Sequence, residues 1–340
     1  MTRVLVIDFF MRIRDFKQAY ALNTRPRNGI QLSLARTTRR DDNLALLPGM
    51  TVYDTDSDLT NIADIITKVK PDVIHTHADG HAYKLLRRGL AGPGKCKLVH
   101  ECHDPASAYH GKPQDVKDRE RIVMNKVDNV VCVSPEMQTY LDKLYGIASK
   151  CRIIYSYPNA KLIPKRVPGK PKKRIISGVY QGGMGTYKHH HRYYRDIFAK
   201  LTAQGLCMDT YSSHGDIDYK LRGVTNRPFI GNIQKLYSTL SAYDFGFVGF
   251  NAVSKPLLHM ARPNKLYEYI GAGLPLLAMD YQAMKKFITN QGFGVVLDPD
   301  LKLPPDFQDR MVQARKNVRK SRHKFTMESQ LSTIEELYIP

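Results

Sequence analysis

The chain has 340 residues, of which 42% are hydrophobic and 25% charged. That excludes an intrinsically disordered protein and leaves room for two domains of about 150 residues each. Lys and Arg number 52 against 32 Asp and Glu, a formal net charge of +20, and basic stretches at Arg12-Ile13-Arg14, Arg39-Arg40, Lys170–Arg174 and Arg315–Arg322 point to a polyanionic neighbour or to a solvated basic surface. No apolar run reaches the roughly 20 residues that span a bilayer. The five cysteines, Cys96, Cys102, Cys132, Cys151 and Cys207, are scattered without metal-ligand spacing, which suits a reducing compartment.

The opening MTRVLVIDFF is a short β-branched run followed at once by Arg12 and Arg14. It reads as a buried strand, Arg3–Phe9, and not as a signal peptide. Further strands are expected over Gln31–Ala35, Asp72–His75, Lys97–Glu101 and Asn129–Val133, alternating with helical patterns. Over Leu59–Lys70, the residues Ile62, Ile65, Ile66 and Val69 share one helical face. Ser134 and Pro135 supply the cap and first position of a helix that Gly146 ends. Tyr157–Arg174, rich in Pro and Lys, reads as a linker. The alternation then resumes with strand Arg174–Gln181, helix Lys188–Gln204, strands Leu206–Tyr211 and Tyr243–Phe250, helix Pro263–Ala272, strand Leu274–Met279, helix Tyr281–Asn290 and strand Gly294–Leu297. Helices over Phe307–Lys320 and Thr326–Leu337 close the chain. The expected fold class is α/β, two Rossmann-like doubly wound domains with the ligand where strand C-termini face a central cleft.

Three segments carry chemistry. In Arg262-Pro263-Asn264-Lys265-Leu266-Tyr267-Glu268, a helix beginning near Pro263 offers backbone N–H groups and a positive dipole end to a diphosphate. Glu268, further along, can accept hydrogen bonds from both hydroxyls of a ribose, although an ordinary αβ unit with an exposed Glu has the same spacing. In Gln181-Gly182-Gly183-Met184-Gly185-Thr186-Tyr187-Lys188, glycines permit close approach to a phosphate and Lys188 adds a compact charge; a plain glycine turn reads the same way. The third segment pairs His100-Glu101-Cys102-His103-Asp104 with Asp72-Val73-Ile74-His75-Thr76-His77, whose histidines either face a ligand or are satisfied in the core. No Cys or carboxylate spacing closes a tetrahedral zinc set around them, and no metal is expected. The Asp54-Thr55-Asp56 triplet falls in an acidic turn. His189-His190-His191 reads as a partly exposed helix start, and Tyr187, Tyr193 and Tyr194 as packing. Val4–Arg12 contains no glycine, which speaks against a nicotinamide-dinucleotide fold.

The stretch PNKLYEYIGAGLPLLA, from Pro263 to Ala278, resembles the signature of GT-B glycosyltransferases, in particular the large retaining family called GT4-like. On this resemblance Glu268 is the ribose-binding carboxylate. Met260 stands where many members have a second Glu that touches the donor sugar, with His259 or Arg262 nearby as substitutes. Lys188 corresponds to one of two cations that face the departing diphosphate, and Gly183 occupies the place of the other, an Arg. His103 matches the histidine that contacts the transferred sugar, with Asp104 orienting it or capping the next turn. The resemblance therefore implies a catalytic set of His103, Lys188 and Glu268. The implied donor set is Gly182, Gly183, Lys188, Pro263, Asn264, Lys265, Leu266 and Glu268. Arg12, Arg14, His75, His77 and Asp104 are candidates on the acceptor side.

The domains so implied are an N-terminal one over 1–160, completed by a helix over 322–340, a linker over 161–174 and a nucleotide-sugar domain over 175–321. The implied reaction moves a sugar from a nucleotide diphosphate, UDP-sugar foremost, to a glycan or lipid-linked acceptor, with retention and with no cofactor or metal. Basic patches would dock such an enzyme on an anionic membrane face, which makes the cytoplasm and its membrane surface the expected place. A phage or viral enzyme that glycosylates a modified DNA base, working in the host cytoplasm, uses the same charge on phosphates. A nucleotide-sugar 2-epimerase shares the fold but calls for a denser set of carboxylates and histidines.

Overall fold

The computed structural model describes residues 1–9, 12–25, 29–38, 43–109, 111–167, 174–212, 219–251 and 256–339. Phe10, Arg39-Arg40 and Lys170–Lys173, named above, lie outside them. The chain forms two compact units, residues 1–156 with 327–340, and residues 157–326.

The first unit runs β1 (Thr2–Asp8), α1 (Ile13–Asn23), β2 (Ile30–Arg36), β3 (Thr51–Asp54), α2 (Ile62–Val69), β4 (Val73–Thr76), α3 (Asp79–Arg87), β5 (Lys97–Glu101), α4 (Gln114–Lys126), β6 (Asn129–Cys132), α5 (Pro135–Tyr145) and β7 (Cys151–Ile153). Its strands pair in parallel in the order β3-β2-β1-β4-β5-β6-β7. Val4, Leu5 and Ile7 have no exposed surface, as a central parallel strand covered on both faces requires. The strand order reverses between β1 and β4, and in such sheets the crevice outside the strand C-termini at the reversal receives ligands. At α5 the expected signals act as read: Ser134 Oγ accepts from Met137 N at 3.0 Å, and Gly146 ends the helix at φ 66°.

The second unit runs β8 (Ser177–Gly182), α6 (Arg195–Ala203), β9 (Cys207–Ser212), β10 (Val224–Arg227), α7 (Ile233–Leu240), β11 (Phe245–Val248), α8 (Pro256–Met260), α9 (Asn264–Gly271), β12 (Leu276–Ala278), α10 (Gln282–Gln291), β13 (Gly294–Val296) and α11 (Phe307–Ser321). Its parallel order is β10-β9-β8-β11-β12-β13, so this sheet reverses between β8 and β11. Its core is aromatic: Tyr180, Tyr194, Phe198, Phe245 and Phe247 are all fully buried in one cluster. The chain then rejoins the first unit through α12 (Leu331–Leu337). There Gln330 clasps the Tyr155 backbone, donating to its carbonyl at 2.9 Å and accepting from its N–H at 2.8 Å.

Several elements differ from the sequence reading. The stretch from Tyr157, read as linker, is packed over its first residues: Tyr157 and Leu162 are buried, and Arg322 donates to the Pro164 carbonyl at 2.5 Å. The helix expected from Lys188 begins only at Arg195. Residues 186–194 instead make a loop closed by Gly185 N donating to the Arg192 carbonyl at 2.8 Å. The whole of α1 was missed because its buried side is polar, with Arg14, Asp15, Lys17 and Gln18 all buried.

Candidate active site

In the second unit the signature motif builds α9, with Pro263 as its N-cap in extended backbone at ψ 153°. Lys265 and Glu268, three residues apart, share one face of this helix, and that face turns toward the end of β8. Lys265 Nζ donates to Tyr180 Oη at 2.9 Å and lies 4.3 Å from the centre of that ring. The Glu268 carboxylate accepts from the Gln181 side-chain amide. Tyr269 meets the same strand, its hydroxyl accepting from Gln181 N at 3.0 Å. Its ring packs over Gly246, where a Cβ would stand 2.2 Å from it.

Lys265 is 9% exposed and Glu268 2%. Among the described residues, Lys265 has no ion pair. Burial, with the nearby Arg192 charge adding to it and Glu268 opposing, pulls the Lys265 ammonium down to about 7. A buried cation in this condition is a place where an anion restores the balance. Gly182, at φ 120°, closes β8 against this lysine: a Cβ there would lie 3.3 Å from both Cε and Nζ of Lys265. Gly183 is buried in the following turn, and its carbonyl accepts from Tyr180 Oη at 2.7 Å. The donor candidates Gly182, Gly183, Pro263, Asn264, Lys265 and Glu268 thus converge. Leu266 is different: its side chain is fully buried in the core, and its N–H donates to the Pro263 carbonyl at 3.0 Å.

Lys188 is exposed in the 186–194 loop, where its carbonyl accepts from Asn251 Nδ2 at 2.6 Å. It does not sit one helical turn beyond the glycines. His190 packs under Gly185 and accepts from Arg192 N at 3.1 Å, while Tyr194 is buried and Tyr187 exposed. Sequence reasoning gave no role to Arg192, Gln181 and Tyr180, although Gln181 opens the glycine segment; position at a strand end or in a loop closing over it was the available signal. Of the substitutes near Met260, Arg262 is buried with its guanidinium 5.3 Å from the centre of the Phe287 ring, and His259 is exposed.

In the first unit, the acceptor-side candidates meet at the reversal between β1 and β4. Arg12 pairs with Asp8 at 3.0 Å. Arg14 pairs with Glu101 at 3.1 Å and donates to the Ile154 carbonyl. His75 and His77 stack at 4.5 Å, and His77 Nδ1 is 2.6 Å from Asp15 Oδ1. Arg14, His75 and His77 are buried and engaged with one another's partners, so their side chains make a polar interior and not an exposed acceptor surface. Burial raises Asp8 to about 9, with Asp15 adding to it, and raises Asp15 to about 7. Burial holds both histidines below their ordinary value, His75 far below. His103, just past β5, is half-buried, held well below its ordinary value by burial, and its Nδ1 has no hydrogen-bond partner. Asp104 beside it is exposed. The Asp54–Asp56 turn is accounted for locally, Asp54 pairing with Arg36 at 2.8 Å and Asp56 accepting from Thr60 N at 2.8 Å.

Residues 35–156 match the family described as Glycosyltransferase Family 4. No curated protein sequence matches the chain. Among solved structures, it is similar to the sucrose-phosphate synthase of Thermosynechococcus elongatus, at a TM-score of 0.72 and 14% identity over 99% of this chain and 98% of that one. It is also similar to Anabaena HepE, solved in complex with UDP-glucose, at 0.71 and 14% over 98% and 99%. A weaker likeness, 0.56 and 9% over 98% and 94%, is to a putative UDP-N-acetylglucosamine 2-epimerase from Listeria monocytogenes. Both larger similarities are to proteins with the two-sheet GT-B architecture.

Proposed function

Taking the chain as a GT-B glycosyltransferase with a Family 4 domain at residues 35–156, we propose that it transfers a sugar from a UDP-sugar to a glycan or lipid-linked acceptor, with retention and without a metal on the donor. The observation that carries this reading is the buried Lys265 ammonium against Gly182, one turn from the Glu268 carboxylate on the same helix face. Diphosphate oxygens at the start of α9 would supply the counter-charge that Lys265 lacks, aided by the helix dipole. The ribose hydroxyls would take Glu268 in place of the Gln181 amide. UDP is favoured because HepE, of similar fold, is solved with UDP-glucose.

In the transfer, the bond from the anomeric carbon to the diphosphate breaks and its electrons pass to the phosphate oxygen. Lys265 and Arg192 meet the developing charge, a preorganised contribution that stands where a metal would otherwise serve. Lys188, exposed in the loop, contributes at longer range. The acceptor oxygen bonds to the same face of the sugar, and its proton passes to the departing diphosphate. His103, with an unpartnered buried nitrogen, is the group we assign to the transferred sugar.

The net charge of +20 supports an acceptor held at an anionic surface, and we place the enzyme peripherally on the cytoplasmic membrane face. Among the described residues, no helix is long and apolar enough to cross a membrane. Co-sedimentation with anionic liposomes, set against a gel shift on duplex DNA, separates a membrane acceptor from a modified DNA base. Incubation with UDP-, GDP- and ADP-sugars tests the reaction. Release of UDP that depends on Glu268 supports it, and inertness toward the whole panel, or release of a free 2-epimeric sugar, contradicts it.

A further inference from the structure

The first unit holds a second constellation that the transfer reading leaves unused. Strand register sets His75 opposite Val99 and Thr76 opposite His100, which brings Glu101, at the end of β5, level with His77. The donor atoms of His75, His77 and Glu101 all lie within 4.8 Å of one another. His75 Nε2 is 3.9 Å and His77 Nδ1 3.5 Å from Glu101 Oε2. Tetrahedral zinc with bonds of about 2.0–2.2 Å places its ligand atoms roughly 3.3–3.5 Å apart, so small side-chain shifts close the set. Asp15, from α1, brings Oδ1 to 2.6 Å from His77 Nδ1, a hydrogen-bond distance that orients this ring.

Two further observations point to a cation. His75 Nε2 is buried without a hydrogen bond, a rare condition that a bound ion explains. The outer contacts also orient the donors as metal sites do. Tyr338 Oη meets His75 Nδ1 at 2.7 Å and leaves Nε2 facing inward. Gln18 donates to Glu101 Oε2 at 2.8 Å, and Arg14 pairs with Oε1 at 3.1 Å.

We propose that His75, His77 and Glu101 form a three-donor site for a zinc-class divalent cation that ties the ends of β4 and β5 together, with Tyr338 and Asp15 as positioning residues. Two imidazoles with a carboxylate select a first-row transition ion over magnesium or calcium. The site lies within the first unit and does not rest on the sugar-transfer reading.

The test uses the full chain, stripped with a chelator, dialysed against zinc chloride and counted by elemental mass spectrometry. Cobalt(II) replaces zinc in a parallel sample, to read the intense visible bands of a tetrahedral site. One zinc per chain is expected. It should be lost in His77→Ala and Glu101→Gln and retained when His189, His190 and His191 are all changed to Ala. Tyr338→Phe should weaken affinity about 10- to 100-fold with the fold intact by circular dichroism. Should His77→Ala fail to fold, His77→Gln and His75→Gln take its place. No zinc on the wild-type chain, zinc retained in the folded ligand variants, or zinc lost only with the 189–191 histidines overturns the proposal.

Discussion

Lys265 and Tyr180 meet at 2.9 Å, ammonium on phenol, with the lysine also 4.3 Å from the centre of the tyrosine ring. A phenol and its π-face stabilise a buried cation less than a carboxylate does, and burial, with the Arg192 charge nearby, pulls the ammonium down to about 7. The pair is therefore poised to gain charge when an anion arrives.

Lys265→Met removes the cation while keeping most of its volume. We expect kcat/KM with a UDP-sugar to fall on the order of 10²–10³-fold, the usual loss of one preorganised electrostatic contact. The thermal midpoint should hold or rise, since a buried unpaired charge disappears. Steady-state kinetics alongside calorimetry check both halves, and an unchanged kcat/KM removes Lys265 from the donor site.

Binding of UDP should depend on pH in a defined direction. Lys265 titrates at about 7 in the free protein and higher once a diphosphate lies beside it. UDP affinity should then be constant below pH 7 and weaken by up to about tenfold per pH unit above it, until the raised pKa of the complex is passed. The same group has an ordinary value of 10.5 when unfolded. The unfolded chain thus holds the proton that the folded chain releases, and this residue adds stability as pH rises from about 7 to 10.5. Titration calorimetry at pH 8 in buffers of different ionisation enthalpy should register proton uptake in the wild type and none in Lys265→Met.

Gly182→Ala tests the backbone. Its φ of 120° is outside the range that side chains adopt readily, and the new Cβ would stand 3.3 Å from the lysine tip. We expect a loss of about 1–3 kcal/mol in stability together with weaker UDP binding. Ser134→Ala is the contrasting case: it removes the α5 cap at about 1 kcal/mol and should leave kcat/KM unchanged. Chemical denaturation and kinetics on both variants separate the effects.

Much of the proposed donor site was legible because it is local. Lys265 and Glu268 lie three residues apart on one helix, so periodicity alone puts them on one face, and Gly182 marks a strand end by its residue type. Lys188 was misplaced because the 186–194 loop is closed by a backbone bond from Gly185 to Arg192, a contact no propensity encodes. The joining of His75 and His77 to Glu101 depends on the parallel register of β4 with β5, and Asp15 reaches them from a helix whose buried polar side hid it. Spacing along the chain, which argued against a metal set, says nothing about neighbours across a sheet.

A crystal soaked with UDP tests the account most directly. We expect the diphosphate within hydrogen-bond distance of Lys265 Nζ at the start of α9, and both ribose hydroxyls on the Glu268 carboxylate with the Gln181 amide displaced. UDP bound elsewhere, with Glu268 still held by Gln181, would contradict it.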